Sequence, residues 1–388
     1  MLGDNPAGRG SALPKVIPER IREAREARGL TAEGFGELLG VSRAAVALYE
    51  TGQVGPSPDV FTRILAVTEQ PVGFFFNQRR RKAESAQQPF WRSLKRMEQA
   101  ARARITRRLE WACDIVDYIE AFIELPKANF PPVEWDHEQG KDDEIEVIAL
   151  KLRDLWGLGR GPIADLVSVL EYNGVVLVRE TVACDDMDAV SRWQMGRPFI
   201  LYSAEVESGP RVNFNLAHEL AHIVLHGGVE VTSDNLPRLE RQANRFAGAF
   251  LLPRDTFPLE VVSTSLTYFK TLKERWRVAI AAMIYRCKDL AILNESQVKY
   301  LWRQMNAQGI RQREPLDDAF GHVAPTMLRT SLEMLVSHGV QSKEDVERAI
   351  HLNPADIESL GGIDPGWLTA GKVIAFKPKP RLRISDSA

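Results

Sequence analysis

At 388 residues, with 44% hydrophobic and 26% charged residues and a formal charge of -2, the chain is too long for one ordinary core and has the composition of a soluble, two- or three-domain globular protein. Its balanced charge names no partner, and with neither a secretory leader nor an apolar run near the roughly 18 residues of a spanning helix, the expected address is the cytoplasm with no membrane partner. Cys113, Cys184 and Cys287 are too widely spaced for a disulfide framework and read as buried thiols.

In chain order, residues 1–16 are rich in Gly, Pro and Ala and read as a disordered arm. From 17 to 78, apolar residues recur at helical spacing in short blocks broken at Arg28-Gly29, Leu39-Gly40 and Thr51-Gly52, which predicts four or five short helices, with Ser42 as an N-cap and Gly52 just past a helix end. Residues 79–143 read as a basic linker leading into a long helix, because eleven Lys and Arg between 79 and 108 face only Glu84 and Glu98. Those cations are candidates for phosphate contacts or for a solvated helix face. A second domain is expected over 144–310: two helices, a strand from Val175 to Arg179, a strand in RPFILYSA, and helices in VNFNLAHELAHIVLHGG and LERQANRFAGAFLLP, with two or three more beyond. Residues 311–388 read as helical with a loose tail. The fold class expected is α+β, mostly helical.

Chemistry concentrates at His218-Glu219-Leu220-Ala221-His222. Four residues apart on a helix, the two imidazoles stand side by side on one face, which suits two ligands of a tetrahedral zinc. A catalytic zinc takes three protein ligands and keeps one position for water, and Glu219 is placed to act as general base without ligating. The third ligand chosen is Glu240, which opens the downstream helix. Asn244, one turn later, is placed to hydrogen-bond the free N–H of a histidine. The alternative for Glu240 is an ordinary solvated first-turn carboxylate. A third imidazole from the same straight helix would lie about 6 Å beyond the second. His226, followed by Gly227-Gly228, therefore reads as a cation or hydrogen-bond donor at a helix C-terminus, and Leu216, Leu220, Ile223 and Val224 as core contacts. Tyr172, Tyr202, Tyr285 and Arg286 stand as candidates to stabilise an oxyanion, and the strand Arg197 to Tyr202 as an edge to which a peptide adds.

NLAHELAHIVLHG followed by LERQANRFAGAFLLP resembles the ImmA/IrrE family of metallopeptidases, over roughly residues 145–300. The resemblance implies a zincin-like metallopeptidase domain with a small sheet and zinc as cofactor. It places His218 and His222 on the zinc-binding histidines, Glu219 on the catalytic glutamate and Glu240 on the third ligand. It also implies a protein substrate, a helix-turn-helix repressor cut in a stress or mobile-element response. Asn213 and Asn215 depart from the family's usual Arg and Thr before the active helix.

Residues 17–76 resemble the lambda-repressor-like (XRE) helix-turn-helix domain, with the turn at Gly40-Val41-Ser42 and a recognition helix from Ser42 to Glu50. The resemblance implies a DNA partner, contacted by Ser42, Arg43, Ala44 and Ala45, and paired half-sites read by a homodimer. Arg43 is the one side chain there able to make a bidentate base contact. Where the family commonly carries Gln, helix two starts with Ala32, and the alanines of the recognition helix offer few hydrogen bonds. Two functional readings follow: a DNA-binding zinc metallopeptidase that cleaves a repressor, or a transcription factor whose zincin-like domain senses or dimerises without turnover.

Overall fold

The computed structural model describes residues 15–78, 99–181, 188–321 and 323–370. The expected arm before residue 15, the basic linker before residue 99, the KPKPRLRISDSA tail and Cys184 fall outside them. The chain opens with five helices, α1 (Pro18–Ala27), α2 (Ala32–Leu39), α3 (Arg43–Glu50), α4 (Pro58–Thr68) and α5 (Val72–Phe76). Hydroxyls of Thr31, Ser42 and Ser57 cap α2, α3 and α4 by accepting the backbone N–H of Gly34, Ala45 and Val60, which removes an orphan donor at each start. At Gly36 a Cβ would stand 2.8 Å from the carbonyl oxygen of Val41, so the close turn between α2 and α3 requires glycine there. Arg25 of α1 clamps the end of α3 through Glu50, at 2.5 and 3.0 Å.

The helices that follow are α6 (Gln99–Glu120), α7 (Asp142–Leu155) and α8 (Leu166–Tyr172). A three-stranded sheet comes next, β1 (Val176–Glu180), β2 (Ala189–Gln194) and β3 (Arg197–Ser203), in the order β1-β3-β2. β1 runs parallel and β2 antiparallel to β3. The strand Arg197 to Tyr202 is therefore central, paired on both sides, and the expectation that it is an open edge is corrected: the edge beside the histidine helix is β2. Met195 and Gly196 close the β2–β3 hairpin with φ of 56° and 70°, the pair of positive angles a two-residue type I′ turn needs.

Nine further helices follow among the described residues: α9 (Gly209–Leu225), α10 (Leu236–Leu251), α11 (Phe257–Glu260), α12 (Leu266–Trp276), α13 (Ile280–Asp289), α14 (Glu295–Ala307), α15 (Met327–Ser337), α16 (Lys343–Ile350) and α17 (Pro354–Gly361). Alternation along the strands divides the interior in two. Leu177, Ala189, Ile200 and Tyr202 face a core built with α7 to α10 and α12 to α14. Val176, Val178, Val190, Phe199 and Leu201 face a second core, shared by α6, the N-terminal helices and α15 to α17. The helix-turn-helix region and the C-terminal helices thus close over the far side of the sheet from the histidines.

α6 forms as the periodicity predicts, but two of its cations are committed within the fold. Arg108 is buried against Glu180 and Asp356, and Arg107 pairs with Glu26 and Glu110 at 2.8 Å each. Both expectations for these two residues, phosphate contacts or a solvated face, are corrected. Cys113 and Cys287 are buried, and burial pushes the Cys287 thiol up to about 12. Among the described residues no helix is long and apolar enough to cross a membrane.

Candidate metal centre

α9 and α10 pack against each other and bring the polar residues of both into one buried site. Leu216, Leu220 and Ile223 anchor α9 in the core, which turns His218, Glu219 and His222 toward α10 and β2. His218 and His222 are each 2% exposed, with their Nε2 atoms 3.1 Å apart. Glu240, in the second turn of α10, places one carboxylate oxygen 3.4 Å from each of those nitrogens. Its carboxyl would rise through burial alone, but the imidazoles of His218 and His222 hold it well below the usual carboxylate range. One donor atom from each of the three residues lies within 4.8 Å of the others. A partly buried, ionised carboxylate facing two buried imidazole nitrogens is a donor set that suits zinc with an open fourth position.

The surrounding groups orient these donors. Asn244 Oδ1 lies 3.1 Å from His218 Nδ1, so that His218 Nε2 is left for a metal. Ser191 of β2 donates to Glu219 Oε2 at 2.6 Å and fixes that carboxylate beside the triad. Ser191 was not singled out from the sequence, because it becomes relevant only once β2 is laid against α9.

His226 is the C-cap of α9, fully buried. Burial, reinforced by His222, pushes its imidazole down to about 3, so the cationic form of the expectation is corrected and the hydrogen-bonding form stands. Its Nδ1 is 2.9 Å from His222 Nδ1 and its Nε2 is 3.0 Å from Gln242 Oε1.

A cleft of about 680 Å³ opens onto the site through Glu240 and Asn244, and is walled in part by Phe214, Asn215, Arg241 and Tyr285. Of the four oxyanion candidates, Tyr285 fits best, half exposed on the cleft wall with its ring 5.3 Å from that of Trp302. Arg286 borders the same cleft, but its guanidinium is spent on Glu146 and the Leu252 carbonyl, so it is corrected to a structural residue. Tyr202 is likewise corrected to a core residue, buried on the central strand with its phenol pushed up by desolvation. Tyr172 is exposed and does not line the cleft. Asn213 donates to the Arg277 carbonyl, while Asn215 faces the cleft.

On the opposite core, Ser42, Arg43 and Ala44 are exposed along the start of α3, and Ala45 is half-buried. The Ser42 hydroxyl is engaged as the helix cap.

Replacing Glu240 with Ala is expected to strip the metal. Elemental analysis of protein purified without added metal should find about one zinc per chain in the wild type and a clear loss in the variant. Equal zinc in both would remove Glu240 from the ligand set.

Residues 170–288 match the model of a peptidase family, M78, described as the IrrE N-terminal-like domain, and residues 19–72 match a helix-turn-helix domain. Two archaeal proteins, each named a putative HTH-type transcriptional regulatory protein, are similar over 66 residues. That of Pyrococcus furiosus is 38% identical and that of Methanocaldococcus jannaschii 36%, in each case over 17% of this chain and 21% of the relative. The similarity thus spans about a fifth of those relatives' length.

Proposed function

We propose that this chain, which joins a helix-turn-helix domain to an IrrE N-terminal-like domain, is a zinc-dependent endopeptidase acting as a regulator, and that its substrate is a helix-turn-helix repressor cut in a stress or mobile-element response. One observation carries the reading: His218, His222 and Glu240 converge, with Glu219 beside them and outside the donor set. A zinc ion held by those three supplies Lewis acidity toward water and toward the scissile carbonyl. Glu219, steadied by Ser191, takes the proton of the attacking water and passes it to the leaving amine. β2, the strand at the edge beside α9, offers backbone groups to an extended peptide, whose side chains enter the cleft. Tyr285, on the cleft wall, donates to the developing oxyanion.

The second reading, a regulator acting on DNA without proteolysis, is favoured by the names of the two archaeal relatives. In it the start of α3, Ser42 to Ala45, meets the major groove, and a homodimer reads paired half-sites.

Incubating the zinc-loaded protein with an extract of its own cell, in parallel with a chelated sample, and labelling new N-termini separates the two. The peptidase reading expects a discrete cut in one or a few helix-turn-helix proteins in the loaded sample alone. No loaded-specific cut, from protein verified to hold zinc, leaves the regulator.

A further inference from the structure

The outer side of His222 carries a chain of hydrogen bonds that the catalytic reading does not require. Gln242 Nε2 donates to the backbone carbonyl of His137 at 2.9 Å. A carbonyl only accepts, so this bond sets the orientation of the Gln242 amide and turns its oxygen toward His226 Nε2, 3.0 Å away. That oxygen also only accepts, so His226 Nε2 must carry the hydrogen. In a neutral imidazole the lone pair is then on Nδ1. His226 Nδ1 faces His222 Nδ1 at 2.9 Å, so His222 supplies the hydrogen of that bond and its own lone pair is left on Nε2. That is the nitrogen that meets Glu240 and His218.

We propose that His226 and Gln242 are positioning residues that, anchored on the His137 carbonyl, lock His222 in the tautomer and ring orientation that aim Nε2 at the metal. The inference rests on the metal site of the proposed function but not on peptide cleavage. It explains a sequence feature left without chemistry, a third histidine one turn beyond the pair, where a direct ligand would be out of reach. It also gives the segment before α7 a role at the site, because the relay ends on His137, in the loop before that helix. The two ligands are held differently: His218 by a single amide on α10, His222 through two side chains and a backbone group. Removing a partner of this kind costs metal affinity about 10–100-fold.

The direct test is long-range ¹H–¹⁵N correlation of the metal-free protein labelled at histidine, which reads each imidazole's tautomer whether or not zinc is bound. The inference expects His226 as the Nε2–H form and His222 as the Nδ1–H form. The opposite tautomer at His226 overturns it. The second test is zinc affinity by chelator competition, with unfolding of the metal-free protein followed in parallel. Gln242→Leu and His226→Phe should each weaken zinc about 10–100-fold. Gln242→Glu, which keeps an acceptor for His226 but has no hydrogen for the His137 carbonyl, should recover only part of the loss. Unchanged affinity in both Gln242→Leu and His226→Phe, with the metal-free proteins folded, overturns the inference. Should no peptide ever be cut while tautomers and affinities follow this pattern, only the peptidase reading fails.

Discussion

Glu219→Gln is expected to lower the rate of substrate cleavage by about two to four orders of magnitude, the usual contribution of a positioned general base, while leaving zinc content unchanged. The amide has the shape of the carboxylate and can still accept the Ser191 hydroxyl, so the packing of β2 against α9 is kept. It has no capacity to take a proton at neutral pH. Glu219 contributes no donor to the group of His218, His222 and Glu240, so the metal has no reason to leave. Cleavage rate on a substrate identified from new N-termini, together with zinc per chain, decides the matter. A variant that keeps zinc and cuts at the wild-type rate would take Glu219 out of the chemistry. A variant that loses both would show that Glu219 acts through the site's structure instead.

What the sequence disclosed and what it concealed follow from the range of the interactions. The placement of His218 beside His222 is local helical geometry, and the caps at Ser42 and Ser57 are equally local. Glu240 and Asn244 were legible because a single helical turn separates them, once one ligand face had been drawn. β2 was not, although Met195-Gly196 marks its turn, because AVSRWQ mixes polar and apolar residues on both faces, Ala189 and Ser191 on the side of α9 and Val190 and Arg192 on the other. Missing β2 made the central strand look like an edge. Arg286 and Arg108 looked like free cations because their partners lie far along the chain, Glu146 for one and Glu180 and Asp356 for the other. Periodicity carries no information about pairing over such distances.

The last of those partners sets the second large expectation. Asp356, buried at the start of α17, receives both terminal nitrogens of Arg28 at 2.9 Å and the Gln70 amide at 2.6 Å, and also pairs with Arg108. Arg108 in turn grips Glu180 at the end of β1 at 2.6 and 2.7 Å. One carboxylate thereby ties the helix-turn-helix region, α6 and the C-terminal helices to the sheet that backs the metal centre. Asp356→Ala leaves those donors buried with fewer acceptors and should cost about 3–5 kcal/mol, as breaking a buried ion pair does. Hydrogen exchange should quicken first in α1, α5 and α17, while α9 and α10, packed in the other core, keep their protection. The sign with pH follows from the carboxyl itself. Burial would raise it, but Arg108 and Arg28 outweigh burial and hold it below its ordinary 3.8. A depressed carboxylate contributes its stability above the unfolded-state value and loses it as pH falls through the lower folded-state value. Denaturant unfolding should therefore show the full gap between wild type and Asp356→Ala at neutral pH, and a shrinking gap well below 3.8. A gap that stays constant into acid would mean that the apolar contacts of the second core, and not this carboxylate, join the two halves of the chain.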